Sequence, residues 1–434
     1  MSDTSAGGEV VGGAGGDTRW FTRDRFGLFI HWGLYALPAR HEWVKQRERI
    51  RDEDYQKYFD HFDPDLYDPA EWARDAKAAG MRYAVITAKH HEGFCLWDSA
   101  LTDYKAPNTP AGRDLLRPWV DAFRAEGLRI GFYYSLIDWH HPEFPVDGLH
   151  PRRDDRAYIE ANAGRDMAKY RAYLFGQVRE LLETYAPDIL WLDFSYPGRV
   201  WGGKGRDDWH AAELVALVRD LAPDIILNDR LDLPESADIV TPEQYQPRAW
   251  PERDGRRVVW EACQTLNGSW GYDRDNLQWK SPELVARLLV DTVAKGGNLL
   301  LNVGPTARGE FDPRARALLA EVGAWLRRHG RAIYGGTASD LAPPPDCRYT
   351  RRGDRLYLHV FAWPYRHLHL DGLAGQVAYA QLLHDGSEVA MLELDPARRA
   401  QNTTMPGTPG ALTLELPVVR PDVLVPVIEL FLRG

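Results

Sequence analysis

The sequence predicts an α/β protein in which a (β/α)₈-like barrel is followed by a C-terminal β-sandwich. Short β-rich runs alternate with helical stretches from residue 27 to about residue 303, and eight such runs occur. Past residue 335 the helical pattern stops, and short strands separated by turn residues follow. Strands that alternate with helices are typical of parallel α/β folds, and eight of them favour a barrel over an open sheet.

The eight predicted strands are apolar runs rich in β-branched and aromatic residues, most of them followed by a turn or a helix. They cover 27–33, 81–91, 128–135, 188–194, 224–230, 237–244, 257–263 and 298–305. The intervals between the fifth, sixth and seventh strands are too short for complete helices. We therefore expect the ring to be imperfect around those strands.

The predicted helices show apolar residues at helical spacing, and several end at glycine, which is common at helix C termini. They cover 69–80, 114–127, 165–185, 208–222, 282–297 and 312–330.

Changes of composition mark the expected domain limits. Residues 1–18 are rich in Gly and are expected to form a disordered tail. Residues 19–334 form the barrel, and a linker rich in Gly and Pro covers 335–346. Residues 347–434 form the β-sandwich.

The composition predicts a soluble enzyme. A net charge of −10 over 434 residues argues against nucleic acid or an anionic membrane as the partner. The first residues lack the basic and apolar segments of a signal peptide, so a cytoplasmic location is expected. Three scattered cysteines are too few for a disulfide framework or a zinc motif. The sequence leaves a homo-oligomer open.

Polar residues end the predicted barrel strands. Because the C-terminal ends of barrel strands line one mouth, where such folds carry their chemistry, this pattern predicts a functional site. The residues are His31, His90, His91, Tyr134, Asp193, Asp229, Arg230, Glu243, Glu261 and Asn302.

The adjacent pair His90 and His91 is unusual, because neighbouring side chains on a regular strand point to opposite faces. A β-bulge at the end of the strand would aim both imidazoles into the mouth. Alternatively, His91 caps a backbone carbonyl and only His90 is functional. A metal site is disfavoured because adjacent histidines rarely chelate one ion and no His-Glu-x-x-His motif occurs.

Carboxylates, imidazoles, an arginine and aromatic walls at one mouth, without a phosphate loop or dinucleotide motif, favour glycoside hydrolysis. That reaction needs two carboxyl groups beside the anomeric carbon. Asp193 is the preferred nucleophile because it ends the most apolar strand, DILWLD. Glu243 and Glu261 both qualify as the general acid by their position at strand ends, and Glu243 is preferred because it precedes a loop that can cover the cleft.

Seven segments, in order, resemble the α-L-fucosidases of glycoside hydrolase family 29, over about residues 19–330. They read FGLFIHWGLYALPARHEWV, AKHHEGFCLWDS, LWLDFSYPG, LNDR, TPEQY, WEACQTLNGSWGY and GGNLLLNVGPTARG. Seven matches in the expected order are far more specific than a His-His pair alone.

The resemblance implies a barrel with a C-terminal β-sandwich and retaining hydrolysis of terminal α-L-fucosides through a covalent glycosyl-enzyme on Asp193. It implies no metal or cofactor, and a fucosylated oligosaccharide or glycoside as the substrate. The TPEQ segment points to Glu243 as the acid/base, whereas other members suggest Glu261. The residues implied in holding or walling the sugar are His31, Glu42, Trp43, His90, His91, Tyr134, Arg230 and Trp270.

Two alternative functions remain open at this level. One is an exo-glycosidase with another sugar, such as a galactoside, and the other is a non-catalytic fucose-binding protein. Linkage preference would depend on the loops 41–60, 138–160 and 197–210.

Overall fold

The computed structural model describes residues 10–11, 14–392 and 410–434. Its strands, in chain order, are β1 (Val10–Val11), β2 (Phe26–Ile30), β3 (Tyr83–Lys89), β4 (Arg129–Ser135), β5 (Ile189–Asp193), β6 (Ile226–Leu227), β7 (Glu252–Arg253), β8 (Arg256–Val258), β9 (Glu261–Thr265), β10 (Asn298–Val303), β11 (Cys347–Arg352), β12 (Arg355–Val360), β13 (His367–Leu370), β14 (Val377–Leu382), β15 (Ala390–Leu392), β16 (Leu412–Glu415) and β17 (Val427–Leu432). Its helices are α1 (Arg19–Asp24), α2 (Val44–Arg47), α3 (Asp52–Asp60), α4 (Pro69–Ala78), α5 (Leu116–Ala125), α6 (Arg156–Ala161), α7 (Met167–Tyr185), α8 (Arg206–Trp209), α9 (Ala211–Leu221), α10 (Pro282–Val293) and α11 (Pro313–His329). Most of the predicted tail lies outside the described residues, and Val10–Val11 pairs in parallel with β8.

The main sheet is parallel and curled, with the strand order β6-β5-β4-β3-β2-β10-β9. It confirms six of the predicted strands. The strand predicted over 257–263 is divided, because Arg256–Val258 belongs to a separate small sheet and the strand of the main sheet begins only at Glu261. The prediction of a regular strand over 237–244 is wrong, because this segment makes only isolated parallel bridges. Ile239 bridges to Asn228 after β6, and Glu243 bridges to Cys263 of β9. Pro242 has no N–H to donate to a ladder, which is one reason that regular pairing is interrupted here.

Side chains alternate between the two faces of this sheet, as the pleat requires. Phe29, Tyr133, Trp191 and Leu300 belong to a core cluster on the concave face. Their neighbours along the strands, such as Phe132, belong to the larger core between the sheet and its helices. Both faces are therefore buried, which explains the nearly continuous apolar runs of the sequence.

Three of the helices that cover the sheet begin with the same local signal. Asp68, Ser281 and Asp312 are the N-caps of α4, α10 and α11, and each side chain accepts a backbone N–H of the first turn. A proline follows each cap at a position where no N–H is needed. The helix predicted over 208–222 is divided into α8 and α9, because His210 adopts a left-handed conformation with φ of 52°.

The predicted C-terminal β-rich region is confirmed as two antiparallel sheets, β11-β12-β17-β14 and β13-β16-β15, which share one apolar core. It is attached to the helices of the main sheet by specific hydrogen bonds. The Trp325 indole of α11 donates to the carbonyl of Val425 at 2.8 Å, and Arg348 pairs with Asp291 of α10 at 2.7 Å. Among the described residues, no helix is both long and apolar enough to cross a membrane.

Helices α4 and α11 approach so closely at Gly323 that the site has no room for a larger residue. A Cβ at Gly323 would lie 2.1 Å from the backbone oxygen of Ala78. We predict that Gly323→Ala destabilises the protein by about 1–3 kcal/mol, although alanine is the better helix former, because backbone atoms must move apart. Thermal unfolding of the variant measures this loss.

Gly176, in the middle of α7, is the matched control. A Cβ there meets only the flexible end of Leu101, so Gly176→Ala is expected to be neutral or stabilising by up to about 1 kcal/mol. Equal unfolding midpoints for the two variants would contradict the close helix contact.

Candidate active site

A cavity of about 410 Å³ lies at the carboxyl ends of the parallel strands, a volume within the range of about 300–1,000 Å³ for small-molecule sites. Its lining consists of Phe29, His31, Trp43, His90, His91, Tyr133, Leu149, Trp191, Asp193, Phe194, Tyr196, Trp201, Glu243, Gln244, Cys263 and Trp270. A second cavity of about 460 Å³, between α11 and the segment 420–424, contains none of the predicted site residues.

Asp193 is the most buried carboxylate of this cavity and ends β5, with 7% of its surface exposed. The Tyr133 hydroxyl donates to it at 2.9 Å, and the Arg230 guanidinium lies 3.3 Å away. Burial, together with the charge of Glu243, raises the pKa of Asp193 to about 6, although Arg230 and the Tyr133 hydrogen bond act to lower it. The carboxylate is therefore mostly ionised at neutral pH.

Arg230 joins the two predicted catalytic carboxylates. One guanidinium nitrogen contacts Asp193, and another donates to Glu243 at 3.0 Å. The guanidinium also donates twice to Thr241, through the hydroxyl and the carbonyl, both at 3.0 Å. Its planar group lies over the Trp191 ring, 4.9 Å from the centroid. These contacts leave Arg230 little freedom, so both carboxylates are held beside one fixed positive charge.

The predicted β-bulge at the His-His pair is confirmed. Pairing of β3 with β4 shifts register between Thr87 and Lys89, immediately before the two histidines. Both His90 and His91 line the cavity as a result, with their ring centroids 3.9 Å apart. Burial lowers the pKa of each ring well below its usual value, so both imidazoles are neutral.

Hydrogen bonds define which nitrogen of two cavity histidines carries the proton. Nδ1 of His91 lies 2.7 Å from the Ser135 hydroxyl, whose own proton goes to a backbone carbonyl. Nδ1 of His31 lies 2.7 Å from the side-chain oxygen of Asn302, whose amide nitrogen donates to the carbonyl of Trp270. Both Nδ1 atoms are thus assigned as donors, which leaves each Nε2 as an acceptor. Burial lowers the pKa of His31 to about 4, so it is neutral as well.

Glu42 lies behind the cavity wall instead of in the lining. Its carboxylate accepts the backbone N–H groups of Trp270 at 3.1 Å and Gly271 at 2.8 Å. Burial raises the pKa of Glu42, but the His41 ring and these donors outweigh it, and the pKa is lowered overall. The next residue, Trp43, does line the cavity, 4.8 Å from the His91 ring.

The expectation that Tyr134 lines the site is wrong. Its hydroxyl donates to Gln177 of α7 at 2.8 Å, and its ring belongs to the core between sheet and helices. The preceding residue, Tyr133, is the tyrosine that faces the cavity and contacts Asp193. The alternation of side chains along β4 causes this one-residue difference, because adjacent positions face opposite sides of the sheet.

The expectation that Glu261 belongs to the same mouth is also wrong. Glu261 begins β9 and pairs in register with Asn298, the first residue of β10, so it lies at the opposite end of the sheet. It is fully buried and accepts the Tyr83 hydroxyl. Burial raises the pKa of Glu261 to about 8, so its carboxyl is mostly protonated at neutral pH.

The structure thus brings Asp193, Glu243, His31, Trp43, His90, His91 and Trp270 together around the cavity, with Arg230 behind the carboxylates. Sequence reasoning missed Tyr133 and the wall formed by Phe194, Tyr196 and Trp201. No pattern within β4 distinguishes Tyr133 from Tyr134, because both are buried, and pairing with β5 decides which tyrosine faces the cavity. The wall lies in a loop, where no periodic pattern exists to indicate direction.

Comparison with known proteins places this geometry in a family. Residues 16–331 match the family model described as alpha-L-fucosidase. The solved structure of alpha-L-fucosidase isoenzyme 1 from Paenibacillus thiaminolyticus is 48% identical, covers 96% of this chain and 99% of its own, and superposes with a TM-score of 0.89. The human tissue alpha-L-fucosidase is 29% identical over 80% of this chain and 76% of its own length.

A third similar protein bears on the mechanism. The GH29 alpha-L-fucosidase from Bacteroides thetaiotaomicron is 28% identical, with a TM-score of 0.81 over 98% of this chain and all of its own. Its structure is described as a trapped covalent intermediate with 2-fluoro-fucosyl fluoride, obtained with a Glu-to-Gln variant.

Proposed function

This chain belongs to the α-L-fucosidase family of glycoside hydrolases, and from that premise we propose that it is a retaining exo-α-L-fucosidase with Asp193 as nucleophile and Glu243 as acid/base. The observation that carries the proposal is the pairing of both carboxylates with one guanidinium, that of Arg230, in the cavity of the parallel sheet. Retention is supported by the covalent intermediate trapped in the Bacteroides neighbour.

In the first step, an Asp193 oxygen attacks the anomeric carbon of the bound fucoside while the bond from that carbon to the leaving oxygen breaks. Glu243 donates its proton to the leaving oxygen, so an ester on Asp193 and a free alcohol result. The side chain of Glu243 is 40% exposed at the cavity mouth, where the leaving group must depart and where water can reach the carboxyl group.

In the second step, the Glu243 carboxylate takes a proton from water as the water oxygen attacks the same carbon. The ester bond breaks, Asp193 leaves as a carboxylate, and fucose is released with its original configuration. Arg230 and the Tyr133 hydroxyl both favour the ionised form of Asp193, so they stabilise the nucleophile before attack and as it departs.

The neutral histidines suit the binding of sugar hydroxyls. Since Nδ1 of His31 and of His91 are engaged as donors, each Nε2 is free to accept a hydroxyl proton. Trp43 and Trp270 supply apolar faces for the C–H groups and the methyl group of a deoxysugar. Glu42 contributes indirectly by holding the backbone of Trp270 in place.

We also propose that the sheet functions as a complete (β/α)₈-like barrel. The bridges from Asn228 to Ile239 and from Glu243 to Cys263 link the two edges of the seven-stranded sheet and support this closure. These bridges also hold Glu243 at the same rim as Asp193. A helix or a long loop in this position would not hold the side chain there.

Replacement of the nucleophile tests the proposal directly. Asp193→Gly is expected to lower kcat for an aryl α-L-fucoside by about 10⁴-fold or more, because the attacking atom is lost. Added azide should restore part of the turnover and yield a β-configured fucosyl azide. Unchanged turnover in this variant, or an azide product of α configuration, would contradict the assignment.

The two candidate acids are separable by matched amide variants. Glu243→Gln is expected to lower kcat/KM for a fucoside with a poor leaving group by about 10²–10⁴-fold, and to leave kcat/KM for α-L-fucosyl fluoride far less affected, because kcat/KM reports the first step and fluoride needs no proton. Glu261→Gln should keep near-normal rates on both substrates, since that carboxyl is already neutral and a Gln is nearly isosteric. The reverse pattern would identify Glu261 as the acid.

The pH profile reports on Asp193. Since burial raises its pKa to about 6 and only the ionised form attacks, kcat/KM should fall as the pH drops through about 6. Tyr133→Phe removes a hydrogen bond that lowers this pKa, so the acid limb should move to higher pH. Tyr134→Phe is the control and should leave the limb unchanged, because Tyr134 contacts Gln177 instead.

A further inference from the structure

An aromatic wall runs from the buried part of the cavity to its mouth. The Phe194 ring lies 4.3 Å from the His91 ring, the Tyr196 ring 5.4 Å from Phe194, and the Trp201 ring 5.2 Å from Tyr196. Exposure rises along this wall, from 1% for His91 to 65% for Trp201. Among the described residues, Trp201 is the one tryptophan with a mainly exposed side chain, although it lines the cavity.

The outer part of this wall lies on the same side of the site as the proposed acid. Tyr196 lines the cavity together with Asp193 and Glu243, and the charges of these carboxylates add to burial in raising the pKa of its hydroxyl. Trp201 follows Tyr196 toward solvent. Glu243 and Trp201 are both exposed members of the same lining, so a group attached to the oxygen that Glu243 protonates can contact this wall as it extends toward solvent.

The backbone that carries Trp201 is strained and held in place. Arg199 and Trp201 both adopt left-handed conformations, with φ of 52° and 58°, which cost free energy for residues with side chains and persist where surrounding contacts hold them. The Gly148 N–H donates to the carbonyl of Gly202 at 3.0 Å. A Cβ at Gly148 would lie 2.1 Å from the Trp201 oxygen, so the two loops fit closely.

A buried ion pair also connects the loop that contains Gly148 to the loop that contains Trp201. Lys204 pairs with Asp147, donates to the carbonyl of Pro145 at 3.1 Å, and lies over the Phe144 ring at 3.9 Å. Both charged side chains are more than 90% buried. The loop of Trp201 is therefore anchored before any ligand arrives, and the indole is presented to solvent at a defined position.

We propose that Trp201, with Tyr196 and Leu149, forms a preformed leaving-group subsite that binds the apolar face of a sugar ring. The inference rests on the proposed function and adds the residue that recognises the leaving group, so that a fucosyl oligosaccharide is preferred to a simple alkyl fucoside. Exposed indole faces suit the C–H face of a pyranose, because that face is apolar while the hydroxyls at the ring edge stay hydrated. An aryl leaving group presents a similar apolar face to the indole.

The test measures kcat/KM for Trp201→Ala with fucosyl disaccharides linked to galactose or N-acetylglucosamine, with 4-nitrophenyl α-L-fucoside and with α-L-fucosyl fluoride. We expect a loss of about 10-fold on the disaccharides and a loss on the aryl fucoside, with the fluoride changed by less than about 2-fold, because fluoride does not reach the indole. Trp201→Phe should restore most of the loss on disaccharides. Tyr365→Ala, which removes an 80% exposed aromatic far along the chain, should have no effect.

Other outcomes overturn the subsite. An equal loss on the fluoride would mean that Trp201 acts on the fucose or on folding, and an unchanged rate on disaccharides would mean that the indole binds no leaving group. A loss confined to the aryl fucoside would exclude a sugar ring as the ligand. If the unmodified protein hydrolysed none of the three substrate types, the proposed function itself would fail, which is a different result from any of these.

Discussion

The site depends on one buried negative charge. Asp193 ends a strand whose other side chains are apolar, and removal of a carboxylate from water is costly unless donors and a positive charge replace the lost solvation. Arg230 and the Tyr133 hydroxyl provide that replacement here. Since Arg230 is itself fixed by Thr241 and stacks on Trp191, the position of the carboxylate follows from the packing of the sheet.

The same guanidinium couples the two proposed catalytic groups. Glu243 lies on a segment without regular strand pairing, yet the Arg230 contact and the bridge to Cys263 bring it to the rim beside Asp193. In the proposed mechanism this segment places the acid/base at the cavity mouth, where the Glu243 side chain is 40% exposed, while Asp193 stays buried. The difference in burial suits the two carboxyl groups to different proposed roles, Asp193 as nucleophile and Glu243 as acid/base.

The histidines show how neutral groups complete the site. Three buried imidazoles close to one another would repel if charged, and burial keeps each of them neutral. The β-bulge after Thr87 turns both members of the His-His pair to the cavity, and hydrogen bonds to Ser135 and Asn302 define the tautomers of His91 and His31. Neutral acceptors suit a neutral sugar better than charged groups do.

By itself, the sequence determined the parallel α/β sheet, the helices that cover it, and the clustering of Asp193, Glu243 and the histidines at strand ends. These follow from local periodicity and from the rule that parallel strands end at one rim. Only the tertiary structure decided that Tyr133 and not Tyr134 faces the site, and that Glu261 lies at the far end. Which side chains of a strand face the cavity, and at which residue the strand begins, both depend on pairing with strands that are distant in the chain. A single segment of sequence does not contain that information.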